Sequence, residues 1–580
     1  MKRKLSLALK ISCLVLIVSS LIVSSILTTK SGSTIDVVEN EMPDEENDFY
    51  VDELGNPEVH PVFRSKTPLL TSTYIEQVKN AENPDPINKD YETFPVLNND
   101  TEYQALREFT YENINGKDVK AYSFFRVKSE AAHNPNVGAG LLIYHTIRYK
   151  LAHPEEDVHL AFTSYRISVT AAVCVVPESR YYGYMRALYD EDYDDYGFVT
   201  IGFMLVEAAR LGIHVTVVGQ LTSYGTKQYK EDGETLYKKP EPSYISYFNA
   251  ALSADCYEEY EPGKKVSDFM RFKHVLWTLS DKGGADMMHL KSCISSHHLD
   301  EKGNEHRDTI WLTCSNLDTI DYRGSEAGNW SQSGVIVTDH YYLYTCAYNY
   351  IQLLHDYAGQ GSIYEVRNIV AERNTRQLRM YLEGRYDEIP DNEKLLYLGS
   401  ETDHIFEIYF TPLGGYSSVW DPVNNPVAKY TEAMAKSTEP VTYVFLNPRC
   451  ETGWSFYQNL SAFVKKKLVD NRNPKNRFCI EAKDFDYSMF DGFKKGKDCE
   501  FGYFKFSGGT IHTKDSQYSY VDETGERQYV SVLSSCNFHS GAYYYQANSF
   551  LVIHEDENID DRFFTSIGVA FSHKAVLDNQ

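Results

Sequence analysis

Apolar and polar positions divide this chain into three regimes. A basic start, MKRK, leads into a long apolar run from Leu5 to Leu27. Residues 28 to 100 are rich in Asp, Glu, Asn and Pro, and the run ENEMPDEEND reads as a solvated linker. From about residue 120 the pattern becomes α/β. DVHLAFTSYRIS reads as a strand. FVTIGFMLVEAARLG has helical apolar spacing with Gly212 as its C-cap, and IHVTVVGQL follows as a buried strand. Tyr244 to Lys282 reads mostly helical, and GVIVTDHYYLYTCAYNYIQLLHDY supplies a strand and a helix. The order returns downstream: PVTYVFLNP as a strand, SFYQNLSAFVKKKLVDN as an amphipathic helix and NRFCIEAKDF as a strand. Strands alternating with helices predict mixed or parallel sheets covered by helices.

Two β-rich segments interrupt this alternation and carry the candidate chemistry. Ile511 to Glu555 holds His512 and Lys514 in its first run and ends its second at Ser535, Cys536 and Asn537. Upstream, His289 and Lys291 repeat the spacing, and Ser315 and Asn316 repeat the downstream pair. The His-to-Asn separations are 25 and 27 residues, and the two copies lie 223 residues apart. Residues i and i+2 of a strand share a face, so each His and Lys is expected to project together. A neutral-pH base, a cation and an amide on one face suit a phosphate group. The repeated strand–helix–strand–motif order predicts an internal duplication, each half offering one motif from a sheet edge, with the site between the halves.

The duplicated His-x-Lys pair, each copy followed by an Asn, resembles the phospholipase D superfamily across roughly residues 135 to 575. The resemblance implies an α/β fold of two similar α/β/α halves, each a mixed sheet flanked by helices, with the active site at their interface. The corresponding divisions are 1–30 as a signal anchor or signal peptide, 31–120 as an acidic linker and N-terminal extension, 121–385 as the first half and 386–580 as the second. The family's usual Asp, five residues after the Lys, is absent: Ser296 and Ser519 stand there. The downstream acidic position is occupied by Gln332 and Asn548. The tyrosyl-DNA phosphodiesterase branch likewise lacks the first Asp and keeps the His, Lys and Asn. The resemblance implies a metal-independent, cofactor-free phosphodiesterase. One His, by resemblance His289, attacks phosphorus, and the other, His512, protonates the leaving alcohol; the residues alone leave the reverse assignment open. Lys291, Lys514, Asn316 and Asn537 would hold the non-bridging oxygens. Gln332 and Asn548 would orient the imidazoles, an amide stabilising an imidazolium less than a carboxylate does.

Charge and composition narrow the partners. The 580 residues carry a formal charge of −25, which argues against broad binding to duplex nucleic acid. A phospholipid is the leading substrate class, with single-stranded nucleic acid cleaved by an exonuclease as the alternative. A third reading is a catalytically inactive binding protein of the same fold. The apolar run is long enough to span a bilayer, and its flanking Lys and Arg place the N-terminus inside and the body outside, anchored or secreted. Ten cysteines show no CxxC pair. Cys450, Cys479 and Cys499 are disulfide candidates, while Cys293, Cys314 and Cys536 read as small buried residues rather than nucleophiles. Asn99, Asn329 and Asn459 begin glycosylation sequons. The acidic run YDEDYDDYGF reads as solvated surface, and His297, His298 and His306 as strand-end or loop residues rather than metal ligands.

Overall fold

Two eight-stranded sheets organise the described part of the chain. The computed structural model describes residues 107–114, 117–125, 136–167, 172–174, 199–222, 228–230, 236–238, 244–275, 278–279, 285–300, 303–316, 331–358, 364–400, 402–413, 423, 425–437, 441–446, 477–481, 497, 500–504, 514–537, 540–555 and 576–577. The run Leu5 to Leu27, the acidic linker, YDEDYDDYGF, the expected helix SFYQNLSAFVKKKLVDN, the three sequons and His512 lie outside these residues. No helix among the described residues is long and apolar enough to cross a membrane.

In chain order the first strands are β1 (Arg107–Ile114), β2 (Lys117–Phe125), β3 (His159–Ile167), β4 (Ala172–Cys174), β5 (Val199–Thr200), β6 (His214–Thr222), β7 (Gln228–Lys230), β8 (Leu236–Lys238), β9 (Met270–His274), β10 (Thr278–Leu279), β11 (Ala285–Met288), β12 (Ser292–Leu299), β13 (Glu305–Thr313) and β14 (Ser331–Val337). They are followed by β15 (Phe406–Phe410), β16 (Val441–Leu446), β17 (Arg477–Glu481), β18 (Glu500–Phe504), β19 (Ser516–Val521), β20 (Arg527–Ser534), β21 (Gln546–Ala547), β22 (Ser549–Glu555) and β23 (Val576–Leu577). The first sheet runs β1-β2-β14-β13-β12-β3-β6-β9 and the second β15-β22-β20-β19-β16-β17-β18-β23. Within them one six-strand order occurs twice. β14-β13-β12-β3 and β22-β20-β19-β16 are antiparallel throughout. The extensions β3-β6-β9 and β16-β17-β18 are parallel. β1 and β2 begin before residue 121, so the first sheet draws on the segment read as an N-terminal extension.

Both faces of the first sheet are covered, and its strands alternate between two cores. Phe162, Val217, Cys293, Trp311 and Ile336 face one cluster, together with α1 (Asn136–Ala152) and α2 (Ile201–Arg210). Ala161, Val218, Ile294, Ile310 and Val335 face the other. This two-sided burial explains why these strands read as near-continuous apolar runs. Helix α2 ends in a Schellman motif: Gly212, at φ +85, donates to Ala209 O at 3.0 Å, and Ile213 donates to Ala208 O at 3.1 Å.

The second cluster joins the two sheets. Leu343, Tyr350, Ile351 and Leu354 of α4 (Tyr341–Tyr357; α3 is Tyr244–Ala251) pack there with Ile310 and Val337 of the first sheet and with Ile408, Phe410, Leu533 and Leu551 of the second. Helices α5 (Tyr364–Leu382), α6 (Pro426–Lys436) and α7 (Ser540–Tyr545) complete the set. Asn425 caps α6, its Oδ1 accepting from Val427 and Ala428 N–H, with Pro426 in the first turn.

Three expectations are corrected. Tyr244 to Lys282 is not mostly helical: α3 and a single turn at Val266–Phe269 give way to β9 and β10, because Met270–His274 pairs in parallel with β6. The motif strands are interior rather than edge strands, β12 lying between β13 and β3 and β19 between β20 and β16. His289 and Lys291 do not lie within one strand. They occupy the link between β11, which belongs to a small separate sheet, and β12 of the main sheet.

Packing around Trp311 leaves no room for a side chain at Gly334. A Cβ there would sit 2.4 Å from the Trp311 ring, and Trp311 is only 1% exposed. Gly334→Ala is expected to destabilise the fold by about 1–3 kcal/mol through overpacking. Denaturant unfolding measures it, and an unchanged midpoint would contradict the packing described.

Candidate active site

The site begins with a short parallel ladder. In it β11 pairs with β21, Met287 opposite Gln546 and Met288 opposite Ala547. The His289 N–H extends the ladder by donating to Ala547 O at 2.8 Å. Gln220, at the carboxyl end of β6, accepts from the Met288 N–H through Oε1 at 2.6 Å. The chain then crosses into β12 of the first sheet, so His289 sits between the small sheet and the first sheet, with Ser535 at the end of β20 of the second sheet within reach.

There its ring is 5% exposed, and Nδ1 meets two acceptors from the far side. Nδ1 lies 2.8 Å from Ser535 O and 3.1 Å from Asn548 Oδ1. A carbonyl oxygen only accepts, so Nδ1 carries the proton and the neutral ring keeps its lone pair on Nε2. Burial holds the His289 pKa well below the ordinary value of 6.5, and the positive charges of Lys291 and Lys514 add to this; the bonds to Asn548 and Ser535 oppose it only in part. His289 is therefore a neutral base at physiological pH.

Both lysines are buried, Lys291 completely and Lys514 to 4% exposure. Lys291 Nζ folds back to donate to His289 O at 2.8 Å. It also stands 5.5 Å from the Tyr165 ring centroid, within cation–π range. The same Tyr165 ring lies 5.1 Å from that of His289. The charge of both lysines also reaches Cys536, yet burial dominates and pushes that thiol well above its usual range. Cys293 and Cys314 are likewise buried, and burial pushes the Cys293 thiol up. None of the three has the character of a nucleophile.

Asn316 is 3% exposed and lies three residues beyond Thr313, whose N–H donates to Lys291 O at 3.1 Å. Asn537 follows Cys536, and its buried Oδ1 has no hydrogen-bond partner among the described residues. Asn548, in the expected orienting position, does reach a histidine, and that histidine belongs to the other motif copy. Gln332 sits on β14 opposite Phe124. Ser296 and Ser519 are bonded within their own sheets: Ser296 Oγ accepts from His159 N at 2.8 Å, and Ser519 Oγ from Arg527 Nη1 at 2.8 Å. Tyr165, Gln220 and the Ser535 carbonyl escaped the sequence reading. For the first two a signal existed, since both lie at the carboxyl ends of adjacent parallel strands, where sites in α/β sheets gather.

The two motif copies thus meet at one buried histidine. The chain is similar to the phospholipase D superfamily. No family model matches it, and no curated protein does. Among solved structures it matches phosphatidylserine synthase from Haemophilus influenzae Rd KW20 at TM-score 0.41 and 11% identity, covering 78% of this chain and 88% of that one. Polyphosphate kinase from Porphyromonas gingivalis matches at TM-score 0.35 and 9% identity, over 77% of this chain and 49% of that one, so the chain spans about half its length. Nuc from Salmonella typhimurium, described as a phospholipase D family member, matches at TM-score 0.20 and 10% identity, over 30% of this chain and 97% of that one.

The remaining candidate histidines are engaged elsewhere. His306 pairs with Asp339 at 2.7 Å and Asp300 at 3.6 Å. Burial alone would lower its pKa, but these two carboxylates hold it up, to about 9. His298 bonds Leu299 O and Thr309 Oγ1 through its two ring nitrogens, each at 2.8 Å. His297 Nδ1 is 2.9 Å from Ser296 Oγ. Among the described residues no group of three or more His, Cys, Asp or Glu could hold a metal ion.

Two buried ammonium groups beside a neutral imidazole make the centre electropositive, so an anion relieves the cost of burying them. Inorganic phosphate is expected to raise the melting temperature of the protein, by about 1.4 kcal/mol of stability at ten times its Kd. Lys291→Met and Lys514→Met are expected to lose that response. Calorimetric melting with and without phosphate tests this, and an undiminished shift in both variants would contradict the assignment.

Proposed function

We propose that this chain is a phosphodiesterase of the phospholipase D type, working through a phosphohistidine formed on His289. The reading is carried by the Ser535 carbonyl bonded to His289 Nδ1, which leaves Nε2 unprotonated beside Lys291 and Lys514. Nε2 attacks phosphorus, forming an N–P bond as the P–O bond to the alcohol breaks. His512, in its protonated form, gives that alcohol its proton, an assistance typically worth about 10²–10⁴ in rate. The now neutral His512 then takes a proton from water, or from a second alcohol. That oxygen attacks phosphorus and the N–P bond breaks, freeing His289. Splitting the displacement in two is the advantage of a covalent route.

Lys291, Lys514, Asn316 and Asn537 hold the non-bridging oxygens, supplying the positive charge and donors where negative charge develops. In this reading two similar α/β/α halves place the site at their interface, and Gln332 serves His512 as Asn548 serves His289. The substrate is a phospholipid, hydrolysed or transferred to another alcohol. The apolar N-terminal run fits this, holding the body at a membrane on its outer side or directing its export.

Turnover of bis(p-nitrophenyl) phosphate in EDTA tests the chemistry. Wild type is expected to turn over, while His289→Ala and His512→Ala abolish steady-state turnover. Unchanged rates in both variants would refute the mechanism. A lipid panel run beside single-stranded DNA separates the substrate classes, with cleavage of DNA alone refuting the lipid assignment.

The pH dependence has a definite sign. His289 must be neutral to attack and its folded pKa lies well below 6.5. Activity is therefore expected to persist as pH falls past 6.5 and to fail only when pH reaches the depressed value. Asn548→Asp places a carboxylate against Nδ1, favours the imidazolium and is expected to move the acid limb upward. An acid limb unmoved in Asn548→Asp would contradict this account.

A further inference from the structure

Thr411 belongs to no motif, yet a chain of hydrogen bonds connects it to the nucleophile. It follows β15 and is fully buried. Its N–H donates to Asn548 O at 3.0 Å, and its carbonyl accepts from the Tyr350 hydroxyl of α4 at 2.6 Å. Its Oγ1 lies 2.6 Å from Gln546 O. That carbonyl only accepts, so the single hydroxyl proton is committed to it. The lone pairs of Oγ1 are left to accept, and they face two donors, Asn548 N at 2.9 Å and Asn548 Nδ2 at 3.3 Å. Asn548 Nδ2 also donates to Ala542 O at 3.1 Å.

These acceptors fix the Asn548 amide in one orientation. Turned over, it would set Oδ1 against the Ala542 carbonyl and point NH2 groups at a ring nitrogen already donating to Ser535. In the orientation that satisfies every group, Oδ1 accepts from His289 Nδ1 at 3.1 Å and from the Ser535 hydroxyl at 3.3 Å.

We propose that Thr411 is a positioning residue which, acting through Asn548, works together with the Ser535 carbonyl to hold His289 as the Nδ1–H tautomer with its lone pair on Nε2. Thr411 does not touch the substrate. Its catalytic consequence rests on the reading of His289 as the nucleophile; its effect on the tautomer does not.

The test is nitrogen NMR on the full-length protein labelled with 15N-histidine, the His289 signals being assigned by their loss in His289→Gln. Wild type and Thr411→Ser are expected to show His289 as Nδ1–H. Thr411→Val keeps the side-chain shape but removes the hydroxyl. It is expected to populate the Nε2–H form and to lower kcat by about 10–100-fold with KM little changed, as for other lost orienting partners. Thr411→Val with the same tautomer and kcat as Thr411→Ser would overturn the proposal. So would an Nε2–H ring in wild type, a readout that stands even where Thr411→Val fails to fold. A tautomer that responds to Thr411 in a protein cleaving no phosphodiester upholds the positioning and overturns the catalytic reading. Turnover intact with a tautomer indifferent to Thr411 does the reverse.

Discussion

The bond from His289 Nδ1 to the Ser535 carbonyl is the constraint on which the account depends. It ties a side chain from the link before β12 to the end of β20 in the other sheet. A two-residue ladder such as β11–β21 is weak by itself. Its register is held by the shared core around α4, where Tyr350 stacks on Phe410 with ring centroids 4.4 Å apart. Packed cores resist shear, so a fit of a few tenths of an ångström between the sheets can persist. Core packing between the sheets is thus the source of the geometry at His289.

Electrostatics follow from that placement. A buried imidazole beside two buried lysines stays neutral because desolvation and both cations act in the same direction. A carboxylate in place of Asn548 would favour the imidazolium and would also draw the lysines toward itself. The amide instead accepts the Nδ1 proton without adding charge. At this position, then, no carboxylate offsets the positive potential that Lys291 and Lys514 exert on the ring.

Much of this was legible in the sequence because it depends on short-range pattern. Strands β3, β6 and β16 follow from apolar runs bounded by turns, and Gly212 marks the end of α2 through its positive φ. The pairing of His289 with Lys291, and of Ser315 with Asn316 as Cys536 with Asn537, was visible as repeated spacing. Partnerships across the sheets were hidden: Asn548 was expected to orient an imidazole, but nothing in the chain order says that it serves His289. Thr411 was invisible as a site residue because its role arises only when strands distant in sequence meet. Met270–His274 was misread as helical because its partner, β6, lies some fifty residues upstream, and pairing at that distance overrides local pattern.

The most direct measurement of the central claim is the identity of the phosphorylated residue. In His512→Ala, p-nitrophenolate departs without an acid, while the second step lacks its base, so the covalent species accumulates. Mass spectrometry of the quenched protein is expected to find the phosphoryl adduct on His289. An adduct on another residue, or turnover by wild type with no adduct detectable in either protein, would contradict the account.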